Sequence, residues 1–228
     1  MKITYYGQSC FGVQIDETHL LFDPFISGNP LAAKVDLEGI PADYILLSHG
    51  HQDHVLDAEA IGKRTGAKLV GAYEVAVWFQ GKGFEAHPMN HGGCWNFEFG
   101  KIRMVNAVHS SVLPDGTYGG NPAGYVIESP AGTFYFAGDT ALTLDMKLIP
   151  MLCPKLDFAI LPIGDNFTMG YRDAVIASDF VECDRIIGCH FDTFGFIEID
   201  HDEARKVFAD KGKELILLEI GESKDLSA

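Results

Sequence analysis

The segment "ILLSHGHQDHVLDAEA" (residues 45–60) constrains this chain more than any other, because three histidines and an aspartate fall within six positions directly behind an apolar run. "DYILLSH" reads as a buried strand and "DAEAIGKRTG" as a helix ended by Gly66, so the polar cluster leaves the carboxyl end of a strand and enters a helix. Open α/β sheets gather ligands and catalytic groups at that edge. With His49 and His51 finishing the strand, its two-residue period aims both imidazoles at one face, where they can share a metal ion. Asp53 and His54 lie in the following turn, displaced from that pair and suited to a second ion.

Two ions need further ligands, and the chain offers them at equivalent places. His109 follows "IRMVNAV", Asp139 follows "TFYFAG" and His190 follows "RIIGC", each where a strand gives way to a loop. Thiolate ligation is not expected: the five cysteines (Cys10, Cys94, Cys153, Cys183, Cys189) are odd in number and lack CxxC spacing, which fits reduced thiols.

Around these points the hydrophobic rhythm is mixed. "KITYYGQSCFGVQI" and "HLLFDPF", separated by "DET", predict an antiparallel start. Strand and helix alternate from about residue 44, through "AKLVGA" and "YEVAVWFQGKG". "CWNFEFGKIRMVNAVHS" and "AGYVIESPAGTFYFAGDT" then predict hairpins turning at Gly100 and at "SPAG". Alternation returns with helices over 143–152, 171–181 and 201–211 between the strands "LDFAILPIGD", "DRIIGCH" and "ELILLEIG". The expectation is a four-layer αβ/βα sandwich, two mixed sheets flanked by helices, with a single doubly wound sheet as the alternative. No linker composition interrupts residues 1–228, so one domain is expected.

The order HxHxDH (His49, His51, Asp53, His54), then His109, then "AGDT" with Asp139, then His190 resembles the metallo-β-lactamase superfamily, and "LLFDP" with Asp23 resembles its first motif. "GDNFTMG" and "GCHFDTFG" are most similar to a bacterial branch of metal-dependent hydrolases related to the L-ascorbate-6-phosphate lactonases. The resemblance implies His49, His51 and His109 on one metal, Asp53, His54 and His190 on the other, and Asp139 bridging. Flavodiiron relatives carry an acidic residue where His51 stands, so the histidine favours hydrolysis. Nitrogen and oxygen ligands suit Zn²⁺, with Mn²⁺ or Fe as alternatives. Two such ions about 3.5–4 Å apart can share a water, lower its pKa to roughly 7 and polarise a substrate oxygen, making hydroxide the nucleophile and Asp53 and Asp139 the catalytic carboxylates.

Other residues have two readings each. Asp23 either orients the first cluster or caps a turn at Pro24; the resemblance tips it toward orienting. Asp165 and Asn166 either face the substrate or form a turn before the helix at Tyr171. Arg172 either pairs with a substrate anion or is solvated, and His91 either binds substrate or is incidental. The loop 110–124, with four glycines and two prolines, is either a lid or a static connection.

A formal net charge of −15 disfavours nucleic acid and anionic membranes as partners, and no apolar run reaches spanning length. A cytoplasmic protein, able to form homo-oligomers, is expected. Two divalent ions, less two carboxylates and one hydroxide, leave about one positive charge in the cleft, so a small anionic ester or lactone is the expected substrate. Phosphodiester hydrolysis is the alternative reaction, and a non-catalytic metal-binding or regulatory module is the alternative of another class.

Overall fold

The computed structural model describes residues 1–226. Along the strand Tyr44–Leu46 the side chains divide as a two-residue period demands: Ile45 faces outward with Leu47 and Leu69 beneath helices, whereas Leu46 and Val70 face inward. The same division recurs in the second half of the chain, where Ala159 and Leu161 lie under helices and Phe158 and Ile160 point inward. The inward residues of both halves meet in one aromatic-rich core containing Phe11, Phe22, Phe134, Phe136 and Phe158. Strands that are apolar on both faces require cover on both faces, and the result is two sheets back to back with helices outside each.

The first sheet contains β1 (Lys2–Gly7), β2 (Cys10–Ile15), β3 (Thr18–Phe22), β4 (Tyr44–Leu46), β5 (Lys68–Ala72) and β6 (Ala86–Met89) in sequence order. Over its outer face pack α1 (Gln52–Val55), α2 (Ala58–Thr65) and α3 (Tyr73–Gly81). The second sheet contains β7 (Cys94–Phe97), β8 (Gly100–Asn106), β9 (Ala123–Ser129), β10 (Gly132–Phe136), β11 (Phe158–Pro162), β12 (Arg185–Cys189) and β13 (Glu214–Ile216). Its helices are α4 (Ile149–Leu152), α5 (Tyr171–Phe180) and α6 (His201–Ala209). β14 (Ser223–Asp225) returns to pair antiparallel with β1, so each sheet has seven strands among the described residues. The four-layer arrangement is the one expected; the single doubly wound sheet is not.

Strand direction explains what this fold does for the polar residues. β3 to β6 run parallel, and β1, two antiparallel steps from β3, runs with them. β10 to β13 run parallel, and β8, two antiparallel steps from β10, points the same way. Within each sheet, then, the strands that precede the candidate site residues end at one common edge. The sheets are joined across that edge by polar contacts: the Tyr125 hydroxyl donates to the Leu47 carbonyl at 2.7 Å, and the Ala123 N–H donates to the Ser48 carbonyl at 2.9 Å.

Two sequence expectations need correction. "KITYYGQSCFGVQI" is a hairpin, because Gly7 and Gln8, at φ +106° and +53°, reverse the chain after β1. And β4 stops at Leu46, so His49 and His51 lie beyond the ladder and the strand period does not aim them.

Candidate metal centre

His51 occupies the N-cap position of α1 in extended conformation, which turns its ring back toward His49; His49 Nε2 and His51 Nδ1 are 2.9 Å apart. His109 joins them, its ring centroid 5.1 Å from that of His49 and 5.0 Å from that of His51. Asp53 and His54 sit within α1, and Asp139 and His190 arrive from the ends of β10 and β12. His54 Nε2 lies 3.4 Å from Asp53 Oδ2 and 3.2 Å from Asp139 Oδ2. His190 Nε2 lies 3.0 Å from Asp139 Oδ2, which also lies 3.6 Å from His109 Nε2. The seven residues therefore form two groups, His49/His51/His109 and Asp53/His54/Asp139/His190, with the Asp139 carboxylate reaching from the second toward the first.

Asp23 is fully buried behind both groups. Its Oδ2 accepts from His54 Nδ1–H at 2.7 Å and from the Ser48 hydroxyl at 2.5 Å, and its Oδ1 accepts from the Ser48 N–H at 2.7 Å. Because the Ser48 hydroxyl gives its proton to Asp23, its oxygen accepts from His49 Nδ1–H, 2.9 Å away. One carboxylate thereby fixes a tautomer in each group: His54 directly and His49 through Ser48. Both rings are left with Nε2 directed at the cluster, His49 offering a lone pair and His54 a nitrogen that a cation can take in place of its proton.

The electrostatics fit a cation. Burial pushes His49, His51 and His109 below the usual imidazole range, and the charge on neighbouring His54 adds to this for His49 and His51, so the first group offers neutral lone pairs. In the second group burial acts the same way on His54 but is outweighed by Asp139, Asp53 and Asp23, which hold it well above its ordinary value. His190 is raised to about 9, chiefly by Asp139 against the effect of burial. Burial raises Asp53 and Asp139, yet the adjoining histidines more than reverse it, and both carboxyls lie below their usual range. Asp23 goes the other way, raised by its burial. Three carboxylates around His54 create a demand for positive charge that a divalent cation meets. The buried His54 Nε2, Asp139 Oδ1 and His190 Nδ1 have no hydrogen-bond partner, and the first two are free to act as donor atoms to such an ion.

Gln8, unremarked in the sequence, braces the second group. It leaves β1 at the same edge, is fully buried, donates from its side-chain Nε2 to Asp53 Oδ2 at 3.1 Å, and accepts the His190 N–H on its backbone carbonyl at 2.8 Å. Gln8→Met keeps the length and removes the donor; we expect metal affinity to fall about tenfold or more, read by competition with a chromophoric chelator, with little change in folding. Gly138, next to Asp139, explains the glycine of "AGDT". It stands at φ +62°, and a Cβ there would lie 2.6 Å from Ser48 Cβ and 2.8 Å from the Ala123 carbonyl. Gly138→Ala is expected to cost roughly 1–3 kcal/mol of stability and to weaken metal binding by pushing Ser48 away from Asp23, measured by thermal melts with and without zinc.

The other predicted residues lie apart. Asp165 and Asn166, at φ +64° and +56°, form the turn after β11; neither lines the cleft, and Phe167 does. Arg172 pairs with Glu203 on the exposed surface. His91 Nε2 hydrogen-bonds the Pro122 carbonyl at 2.8 Å. The segment 110–124 contains a small hairpin bridged at Val112 and Tyr118, anchored by buried Leu113 and by the Ser111 hydroxyl, which accepts from the Gly50 N–H at 3.1 Å.

His51, Asp53, His109, Asp139 and His190 form the floor of an open cleft of about 1000 Å³. The sequence profile described as "Beta-lactamase superfamily domain" matches residues 18–191. This chain belongs to the metallo-β-lactamase superfamily. Among the relatives of this superfamily member is the "UPF0173 metal-dependent hydrolase" of Christiangramia forsetii, 64% identical over 227 residues, covering 99% of this chain and 100% of the relative. YtkL of Bacillus subtilis, likewise named a metal-dependent hydrolase, is 42% identical over 233 residues, covering 99% and 100%. Among solved structures, Igni18, described as a metallo hydrolase from the archaeon Ignicoccus hospitalis, superposes with a TM-score of 0.89 at 32% identity, covering 98% of this chain and 97% of that one. No helix among the described residues of this superfamily member is long and apolar enough to cross a membrane.

Proposed function

We propose that this chain is a binuclear metal hydrolase acting on an ester or lactone. The observation that carries the reading is the convergence at one cleft of a three-imidazole group and an imidazole–carboxylate group, the second of which holds buried donor atoms, His54 Nε2 and Asp139 Oδ1, without hydrogen-bond partners. His49, His51 and His109 would hold one ion, Asp53, His54 and His190 the other, and Asp139 would touch both. Zn²⁺ suits this donor set, with Mn²⁺ and Fe compatible. Bound there, the ions would supply an activated water and polarise the acyl oxygen.

The chain's own residues do the rest. Asp23 and Ser48 hold His54 and His49 in the tautomers that direct Nε2 into the site. Gln8 keeps Asp53 turned toward His54 and His190. Asp53 and Asp139 stay ionised, which keeps both carboxylates available to a cation. An anionic substrate group would find no lysine or arginine among the described residues that line the cleft, so its attraction would rest on the ions alone.

The test is elemental analysis of protein purified without added metal, followed by assays of lactones, carboxylic esters and phosphodiesters before and after chelation. We expect about two ions per chain and ester or lactone turnover that disappears on chelation and returns with zinc or manganese. Turnover of phosphodiesters alone would move the chain to the alternative reaction. Metal without turnover of any class would favour the non-catalytic reading.

A further inference from the structure

The wall of the cleft is unlike its floor. Phe25, Leu56, Phe167, Phe194 and Phe196 line it, and no lysine or arginine does among the described residues. Two of these rings remain in water: Phe167 is 48% and Phe196 78% exposed, 6.2 Å apart at their centroids in edge-to-face contact, while Phe194 pairs with Phe25 at 6.4 Å. Large apolar side chains left exposed around a concave site mark a ligand surface.

The rings are also held in place. After β12 the turn Phe194–Gly195–Phe196 is closed by the Ile197 N–H donating to the Phe194 carbonyl at 2.9 Å, and Ile197 itself is fully buried. Asp192, at φ +61°, accepts from the Ile199 N–H at 3.1 Å and pairs with His201 Nε2 at 2.6 Å, fastening the turn to the start of α6. Phe167 stands on the neighbouring turn after β11, which the Met169 N–H ties to the Thr140 carbonyl at 3.0 Å, one residue beyond Asp139. Both turns thus present aromatic faces on braced backbone above the metal-binding floor, and a ligand need not order them on binding.

We propose that the cleft selects an uncharged acyl substrate with an aromatic or similarly bulky apolar body, seated against Phe167, Phe194 and Phe196 while its acyl carbon lies over the floor. This rests on the hydrolase reading for the reaction but not for the binding. A small anionic substrate would leave these rings unused and gain no cationic side chain in exchange. A cleft of about 1000 Å³ is also larger than such a substrate needs.

The test uses zinc-loaded full-length protein, the variants Phe196→Ser and Phe167→Ser, and Met151→Ser as a control at an exposed apolar site outside the cleft. Fluorescence titration with N-phenyl-1-naphthylamine, an uncharged aromatic probe, reads binding without turnover. Hydrolysis of methyl phenylacetate against methyl acetate in a pH-stat reads selectivity. We expect the probe to bind the parent and the control alike and each cleft variant about tenfold more weakly, and the phenylacetyl preference in kcat/KM, about tenfold or more, to collapse in the same variants. Probe binding lost in the cleft variants, with neither these esters nor the lactones and phosphodiesters above hydrolysed, would sustain the cleft assignment and sink the hydrolase reading. Equal turnover of both esters with unchanged probe binding in Phe196→Ser would overturn the proposal and leave the hydrolase intact. So would a change confined to oligomeric state on size exclusion.

Discussion

Asp139→Ala is expected to lower bound metal from about two ions per chain to one or none, and to reduce ester or lactone turnover roughly a thousandfold or more. The direction follows from geometry. Asp139 Oδ2 is within 3.6 Å of a nitrogen on each of His54, His109 and His190, so a single carboxylate serves donors from both groups. Its removal also deletes the carboxylate that does most to hold both His54 and His190 above the usual imidazole range. The magnitude follows from the several kcal/mol of charge stabilisation that a bound ion supplies at a reacting centre, about 1.4 kcal/mol for each factor of ten. His49, His51 and His109 remain, which is why one ion could persist without activity. Elemental analysis together with kcat measured in excess zinc separates loss of metal from loss of chemistry. Retention of two ions with parental turnover would sink the bridging assignment.

The residues of the cluster were legible in the sequence because each sits within a few positions of a strand end, and strand ends are set by local apolar periodicity. His109 after "IRMVNAV", Asp139 after "TFYFAG" and His190 after "RIIGC" are local readings, and the parallel strands bring them to one edge. The four layers were legible for the same reason. His49 and His51 do meet, but through the extended N-cap conformation of His51 and not through a strand period.

What periodicity could not supply is anything that depends on how chain segments meet. Gln8 was hidden because β1 and β2 read as one run, and only the hairpin turns its side chain toward Asp53. The edge strands β6 and β14 went unread because "AHPM" and "SKD" are short and lack β-branched residues. Asp165 and Asn166 were plausible by position, yet the left-handed turn they form presents the next residue, Phe167, to the cleft. The detectable signal for the aromatic wall is the repeated phenylalanine in "GDNFTMG" and "HFDTFGF", each segment following a strand end and the second beginning at His190.

Asp23→Ala is expected to damage folding and metal binding together, and the relation between the two is the informative quantity. In the fully buried pocket behind the cluster, the substitution strands three donors: His54 Nδ1–H, the Ser48 hydroxyl and the Ser48 N–H. Removing one partner from a buried, charge-assisted arrangement costs about 3–5 kcal/mol, which for a chain of this size lowers Tm by roughly 10 °C. A brace with no influence on the metal would lower stability by the same amount with and without zinc. Asp23 instead sets the tautomers of His54 and His49, so its loss should also weaken zinc binding about 10–100-fold. Each tenfold loss of affinity subtracts about 1.4 kcal/mol from the stabilisation that saturating zinc confers. The deficit of Asp23→Ala relative to the parent should therefore grow by about 1.4–2.8 kcal/mol when zinc is added, read from denaturant unfolding of both proteins at equal metal concentration. Ser48→Ala, which disturbs only the relay to His49 and spares the contact to His54, should show a smaller increment. An identical deficit with and without zinc would reduce Asp23 to a structural carboxylate.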